Sequence, residues 1–109
     1  MAYTKNEALA IAKAFLKEAS KRHPVYSAYL FGSYARGDQK DYSDIDIAAV
    51  LGKPNQPRKY YEETFEIFHE AQEYNSILEV LCFREDEFEK NELDIVSQIK
   101  KEGVKIEFA

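Results

Sequence analysis

Apolar residues return at helical spacing near the start of the chain. Ala8, Leu9, Ile11, Ala12, Phe15, Leu16 and Ala19 recur every three or four positions, the period at which side chains share one helix face. Ahead of them, Thr4-Lys5-Asn6-Glu7 has the composition of a capping box, with Thr4 as N-cap and Glu7 reaching back. The pattern predicts a first helix to about residue 21, ended at His23-Pro24, because the residue before a proline is driven away from helical angles. Residues 25–31 are mostly β-branched, aromatic or aliphatic and read as a buried strand that stops at Gly32-Ser33. The polar stretch 33–43 predicts a short helical turn followed by a loop. Ile45, Ile47, Ala49 and Val50 then mark a second strand, with Asp44 and Asp46 in the alternate phase.

Residues 52–57 read as a loop, and a long helix is expected over about 58–74. Its inner side is assigned to Tyr61, Phe65, Phe68 and Ala71. Tyr60, Ile67 and Tyr74 fall off that stripe, as further core or incidental exposure, with a protein interface as the alternative. A third strand covers 77–83 and is interrupted by one charge, Glu79. One or two helical turns are expected around Phe88, then a helix over about 92–101 with Leu93, Val96 and Ile99 as its apolar stripe. Gly103 is expected to cap it in the left-handed conformation, and 104–108 to form a final strand. The order α-β-β-α-β-α describes an α+β sheet with helices packed on it, as one domain over 1–109.

Composition narrows the classes. The chain has 109 residues, enough for one core of two packed layers, and its eight Tyr and seven Phe argue against disorder. No apolar run approaches the roughly 20 residues of a membrane helix. The first residues lack a signal peptide's apolar block. A single cysteine, Cys82, excludes an internal disulfide and a Cys-rich zinc site and fits a reducing cytoplasm. The net charge of −5, with lysines interleaved among glutamates, leaves no basic face for gripping duplex nucleic acid. A phosphate-bearing substrate would therefore need divalent cations to offset the charge.

The stretch that carries chemistry is Leu30-Phe31-Gly32-Ser33-Tyr34-Ala35-Arg36-Gly37, followed by Ser43-Asp44-Ile45-Asp46-Ile47. Side chains two apart on a strand share a face, so Asp44 and Asp46 are neighbours. Two carboxylates held close repel unless a cation lies between them or one takes a proton. Hard cations such as Mg2+ prefer oxygen ligands and share them with substrate phosphates, so the pair is a candidate two-metal site. Gly32 permits close backbone approach to a phosphate, Ser33 offers a hydroxyl and an N–H at a helix start, and Arg36 offers charge-assisted hydrogen bonds. Glu79 lies in a run too apolar for an idle carboxylate and joins the pair if the second and third strands are adjacent.

Plainer readings accompany these. Asp44 and Asp46 as a solvated strand face, Arg36 as a surface ion pair with Asp38 or Asp41, and Glu79 as the partner of a lysine at a sheet edge are the alternatives. His23 reads as a loop residue and His69 as a helix-surface residue, neither with ligand spacing, and Cys82 as core packing. The run Arg84-Glu85-Asp86-Glu87 reads as a helix start whose acids complement the dipole.

Gly-Ser-x-Ala-Arg-Gly, five residues, then Ser-Asp-Ile-Asp, with a later acid in an apolar strand and a closing Ile99-Lys100-Lys101-Glu102-Gly103, resembles the minimal nucleotidyltransferases of the polymerase-beta-like superfamily. The resemblance spans nearly the whole chain. It implies a mixed β-sheet with helices on one face, triphosphate held by Gly32 and Ser33, and Mg2+, two ions, held by Asp44, Asp46 and Glu79, with ATP as substrate. Many minimal members have Asp at the third acidic position; this chain has Glu79, as do aminoglycoside-modifying relatives that use it as general base. Small members of the family resemble the antitoxin half of systems paired with an all-helical HEPN-type ribonuclease toxin, onto whose tyrosine AMP is transferred. The resemblance thus implies such a hetero-oligomeric partner; a purely binding antitoxin or assembly subunit, a homo-oligomer, or a small-molecule nucleotidyltransferase are the other readings.

Overall fold

The computed structural model describes residues 2–52, 57–91 and 93–108, with the side chains of 57–59 left aside. The loop expected at 53–56 and the helix start expected at residue 92 lie outside the described residues. Helix α1 spans Lys5–Ala19 behind the foreseen capping box: Glu7 N–H donates to Thr4 Oγ1 at 3.1 Å, and Thr4 N–H to Glu7 Oε1 at 2.9 Å. Strand β1 (Val25–Phe31) leads through Gly32 into the single turn α2 (Ser33–Arg36), then to β2 (Ile45–Leu51). Helix α3 (Pro57–Tyr74) crosses to β3 (Leu78–Arg84), and two short helices, α4 (Glu85–Lys90) and α5 (Asp94–Glu102), precede a two-residue strand β4 (Val104–Lys105).

The sheet runs β3-β2-β1-β4. β1 pairs antiparallel with β2 and β4, whereas β2 and β3 are parallel, which requires the helical crossover that α3 supplies. Alternation along β2 divides the interior. Ile45, Ile47, Ala49 and Leu51 join α1 and α3 in the main core; Ala48 and Val50 face a smaller cluster with Phe83, Phe88, Val96 and Ile99. The expected mixed sheet is present, but the helices do not all share one face. The two long ones do, while α4 and α5 sit over part of the other, because Phe88, Val96 and Ile99 have no place in the main core.

Four local expectations are corrected. The buried stripe of α3 is Tyr60, Ile67 and Ala71, whereas Tyr61, Phe65 and Phe68 are 68%, 71% and 40% exposed. Both stripes have helical spacing, so hydrophobicity alone did not separate them. Tyr60 fixes the rotation by donating its hydroxyl to Cys82 O at 3.2 Å, and Tyr74 keeps one ring face on Phe15 at 5.7 Å. Leu93 is the exposed N-cap of α5 rather than part of its stripe. Gly103 is extended (φ −68°, ψ 148°); its N–H approaches Ile99 O to 2.6 Å, and any Cβ there would collide with that oxygen. The tail pairs for only two residues, yet Ile106 and Phe108 still reach the main core. No helix among the described residues is long and apolar enough to cross a membrane.

The rotation of α3 is directly testable by urea unfolding. Ile67→Ala, which empties a fully buried position, should cost about 2–4 kcal/mol. Phe65→Ala should stay within about 0.5 kcal/mol, as surface changes do.

Candidate active site

The turn after β1 is shaped by two glycines. Gly32 has φ 76° and ψ −153°, a region that L-residues with a Cβ avoid, and Gly37 closes α2 at φ 84°. Gly32 carries a second requirement, since a Cβ there would run into Asp46 Oδ2. The carboxylate of β2 thus rests directly against the turn's backbone. Gly32 O accepts from Ala35 and Arg36 N–H, both at 3.1 Å, and Ser33 O accepts from Gly37 and Asp38. The N–H groups of Ser33 and Tyr34, the first of α2, have no partner among the described residues and are free for an anion.

Strand register brings the acids together. Phe31, Asp46 and Glu79 lie in one row across β1, β2 and β3. Partners across a ladder share a face, so Asp46 and Glu79 both project to the side of α4 and α5, each partly exposed. Their carboxyls are within hydrogen-bonding reach. Burial, then the charge and hydrogen bond of Glu79, then the charge of Asp44 push the Asp46 carboxyl up to about 6, and Arg36 opposes this. Asp44 is exposed just ahead of β2 and acts on Asp46 through charge alone.

Arg36 is held by acids of its own. Its Nε meets Asp38 Oδ2 at 3.2 Å and its Nη1 meets Glu102 Oε2 at 3.2 Å, which raises the guanidinium's pKa, chiefly through the Asp38 hydrogen bond. The anticipated ion pair with Asp38 is present; its partner on α5, Glu102, is 66 residues away and carries no sequence signal. Between the turn and α5 lies a pocket of about 220 Å³ lined by Phe31, Gly32, Arg36, Ile95, Gln98 and Glu102.

The donors suit a hard divalent cation: Asp46 and Glu79 are oxygen ligands in mutual repulsion, and no lysine is among the groups that act on Asp46. A second group lies on the α1/α3 side. His23, read above as a loop residue, is 6% exposed and sits with Glu63 and Glu66, ligand atoms within 4.8 Å of one another. Its Nδ1 meets Glu63 Oε2, and its Nε2 meets Glu70 Oε2 at 2.8 Å. Burial works to raise the Glu70 pKa, but hydrogen bonds from Arg22 and His23 outweigh it and hold it below its ordinary value. Both ring nitrogens are used in tying the start of β1 to α3.

Carboxylates from neighbouring strands thus meet beside a glycine-serine turn on a mixed sheet, an oxygen-donor set of the kind hard cations prefer. Residues 12–108 match the nucleotidyltransferase domain family, and the chain belongs to it. Over 59 residues it is 39% identical to a Methanocaldococcus jannaschii protein named as a protein adenylyltransferase, a stretch covering 54% of this chain and 69% of that one. It is 40% identical over 50 residues to a Haemophilus influenzae protein named as the protein adenylyltransferase MntA, covering 46% of this chain and 41% of the relative. Among solved structures, a toxin–antitoxin complex with AMP-PNP superposes with a TM-score of 0.62 at 19% identity, over 91% of this chain and 73% of that one, a likeness of fold.

The crowded acids predict a pH dependence. The Asp46 pKa rises on folding from 3.8 to about 6, so its contribution to stability is whole below about 4 and is lost as pH rises through about 6. In EDTA, melting temperature should fall across that window. Asp46→Asn should remove the fall and melt a few degrees higher than the parent at pH 7.5, on the order of 1 kcal/mol. The same substitution should abolish the upward shift that MgCl2 gives the parent.

Proposed function

We propose that this domain is a protein adenylyltransferase that moves AMP from ATP to a tyrosine hydroxyl of a HEPN-type ribonuclease toxin, and so acts as that toxin's antitoxin. The observation that carries the reading is the meeting of Asp46 and Glu79 on adjacent strands, with Asp46 against Gly32. The relatives named as protein adenylyltransferases and the toxin–antitoxin complex with AMP-PNP support the choice of acceptor class and partner. The net charge of −5 and the lack of a basic face weigh against a nucleic-acid acceptor.

Asp44, Asp46 and Glu79 would hold Mg2+, two ions in our reading; when bound, the metal neutralises triphosphate charge and makes the acceptor hydroxyl more acidic. The chain's own groups do the rest. Gly32, with the free N–H groups and hydroxyl of Ser33, seats the phosphates. Arg36, braced by Asp38 and Glu102, keeps a positive charge beside that turn. Glu79 accepts the proton of the attacking hydroxyl. The new O–Pα bond forms as the Pα–O–Pβ bond breaks and pyrophosphate departs.

Replacing Asp44 and Asp46 together with Asn should lower transfer of α-labelled AMP to the partner by at least about a hundredfold, the scale of losing a main electrostatic stabiliser. Glu79→Gln should lower kcat comparably and leave nucleotide affinity nearly unchanged. Intact-mass analysis of the partner after incubation with ATP and Mg2+ reads both, and undiminished transfer by the Asn pair would end this mechanism.

A further inference from the structure

The side of α3 that meets the start of β1 carries three carboxylates. Glu63, Glu66 and Glu70 recur at helical spacing and so share one stripe. His23 reaches them from the turn between α1 and β1, with 3% of its side chain exposed. Its Nε2 lies 2.8 Å from Glu70 Oε2, and its Nδ1 lies against Glu63 Oε2. Arg22 Nε donates to the other oxygen of Glu70 at 3.2 Å. Glu66 meets no cation in a salt bridge among the described residues.

This set of contacts is one cation short. An ionised carboxylate only accepts, and a neutral imidazole has a single N–H to give. With Glu70 and Glu63 on its two nitrogens, one nitrogen of a neutral His23 faces a carboxylate lone pair to lone pair unless a cation stands between them. A proton bridges two atoms, but three converge here. One ligand atom each from His23, Glu63 and Glu66 lies within 4.8 Å of the others. Ligands held at about 2.0–2.2 Å from one Zn2+ are at most about 4.4 Å apart, so side-chain adjustment of a few tenths of an ångström closes the set.

We propose that His23 Nδ1, Glu63 and Glu66 bind a divalent transition ion of the Zn2+ class, with Glu70 orienting the imidazole. Glu70 accepts the Nε2 proton, which fixes the tautomer and leaves the Nδ1 lone pair for the metal. A nitrogen donor beside two carboxylates suits Zn2+, whereas Mg2+ takes oxygen alone. The ion enters past Glu66, which is open to solvent, and water completes its shell. Bound there, it clamps α3 to the start of β1. That strand has seven residues and its far end adjoins Gly32, so the clamp lies about 20 Å from the paired acids of the candidate active site, at a rise of about 3.3 Å per residue.

The test titrates Zn2+ into the full chain carrying Asp44→Asn and Asp46→Asn, which silences the other acidic site, in competition with a chromophoric chelator. The protein should take up one Zn2+ per chain and melt at a higher temperature. Glu66→Gln, an exposed change that leaves the metal-free melting temperature unaltered, should weaken Zn2+ binding at least about tenfold. Glu70→Gln should weaken it by about 10–100-fold, as loss of a ligand's orienting partner does. X-ray absorption of the complex should show one imidazole nitrogen among oxygen donors. Unchanged affinity in Glu66→Gln, or a shell of oxygen alone, would overturn the site. Failure to retain stoichiometric Zn2+ would overturn it too, and would leave a proton on His23 as the bridging cation. None of these outcomes depends on nucleotidyl transfer.

Discussion

The arrangement depends on two like charges being held together. β2 and β3 are parallel and in a register that sets Asp46 beside Glu79, and that register is enforced from the opposite face, where Ile45, Ile47, Leu78 and Val80 are buried under α1 and α3. A one-residue slip of β3 against β2 would turn Leu78 and Val80 outward and put Glu79 into the main core. Hydrophobic burial on one side of the sheet thus secures an electrostatically costly arrangement on the other.

The rest of the site is arranged beside the acids on that second face. α4 and α5 pack on Ala48, Val50 and Phe83 and reach Phe31, while Asp46 and Glu79 of the same row stay partly exposed. Asn91, at φ 54°, ends α4 and lets the chain turn back toward β1 through α5. That return brings Glu102 to Arg36 and closes one wall of the pocket beside Gly32. The short helices complete the active-site end as well as the smaller core.

Much of this was legible in the residues because the relevant constraints are local. A capping box, a strand followed by glycine-serine, and acids in strict alternation with isoleucines each specify their own conformation. The placement of Glu79 followed from one charge in an apolar strand, given adjacent strands. Features set by tertiary contact were not legible. The two candidate stripes of α3 differ only in which one the sheet meets, and Tyr60's bond to Cys82 decides it. His23 has no spacing relation to Glu63 or Glu70, since α1 and α3 bring them together across 40 and 47 residues. The constraint on Gly103 is the proximity of the Ile99 carbonyl oxygen, which depends on how the chain leaves α5 and has no local signature.

The seating of Asp46 on Gly32 has one more effect. With no side chain between the glycine-serine turn and the acidic strand, movement of either backbone is transmitted to the other at van der Waals contact. The turn after β1 and the start of β2 are therefore mechanically one piece. That coupling comes from a missing methyl group rather than from any hinge.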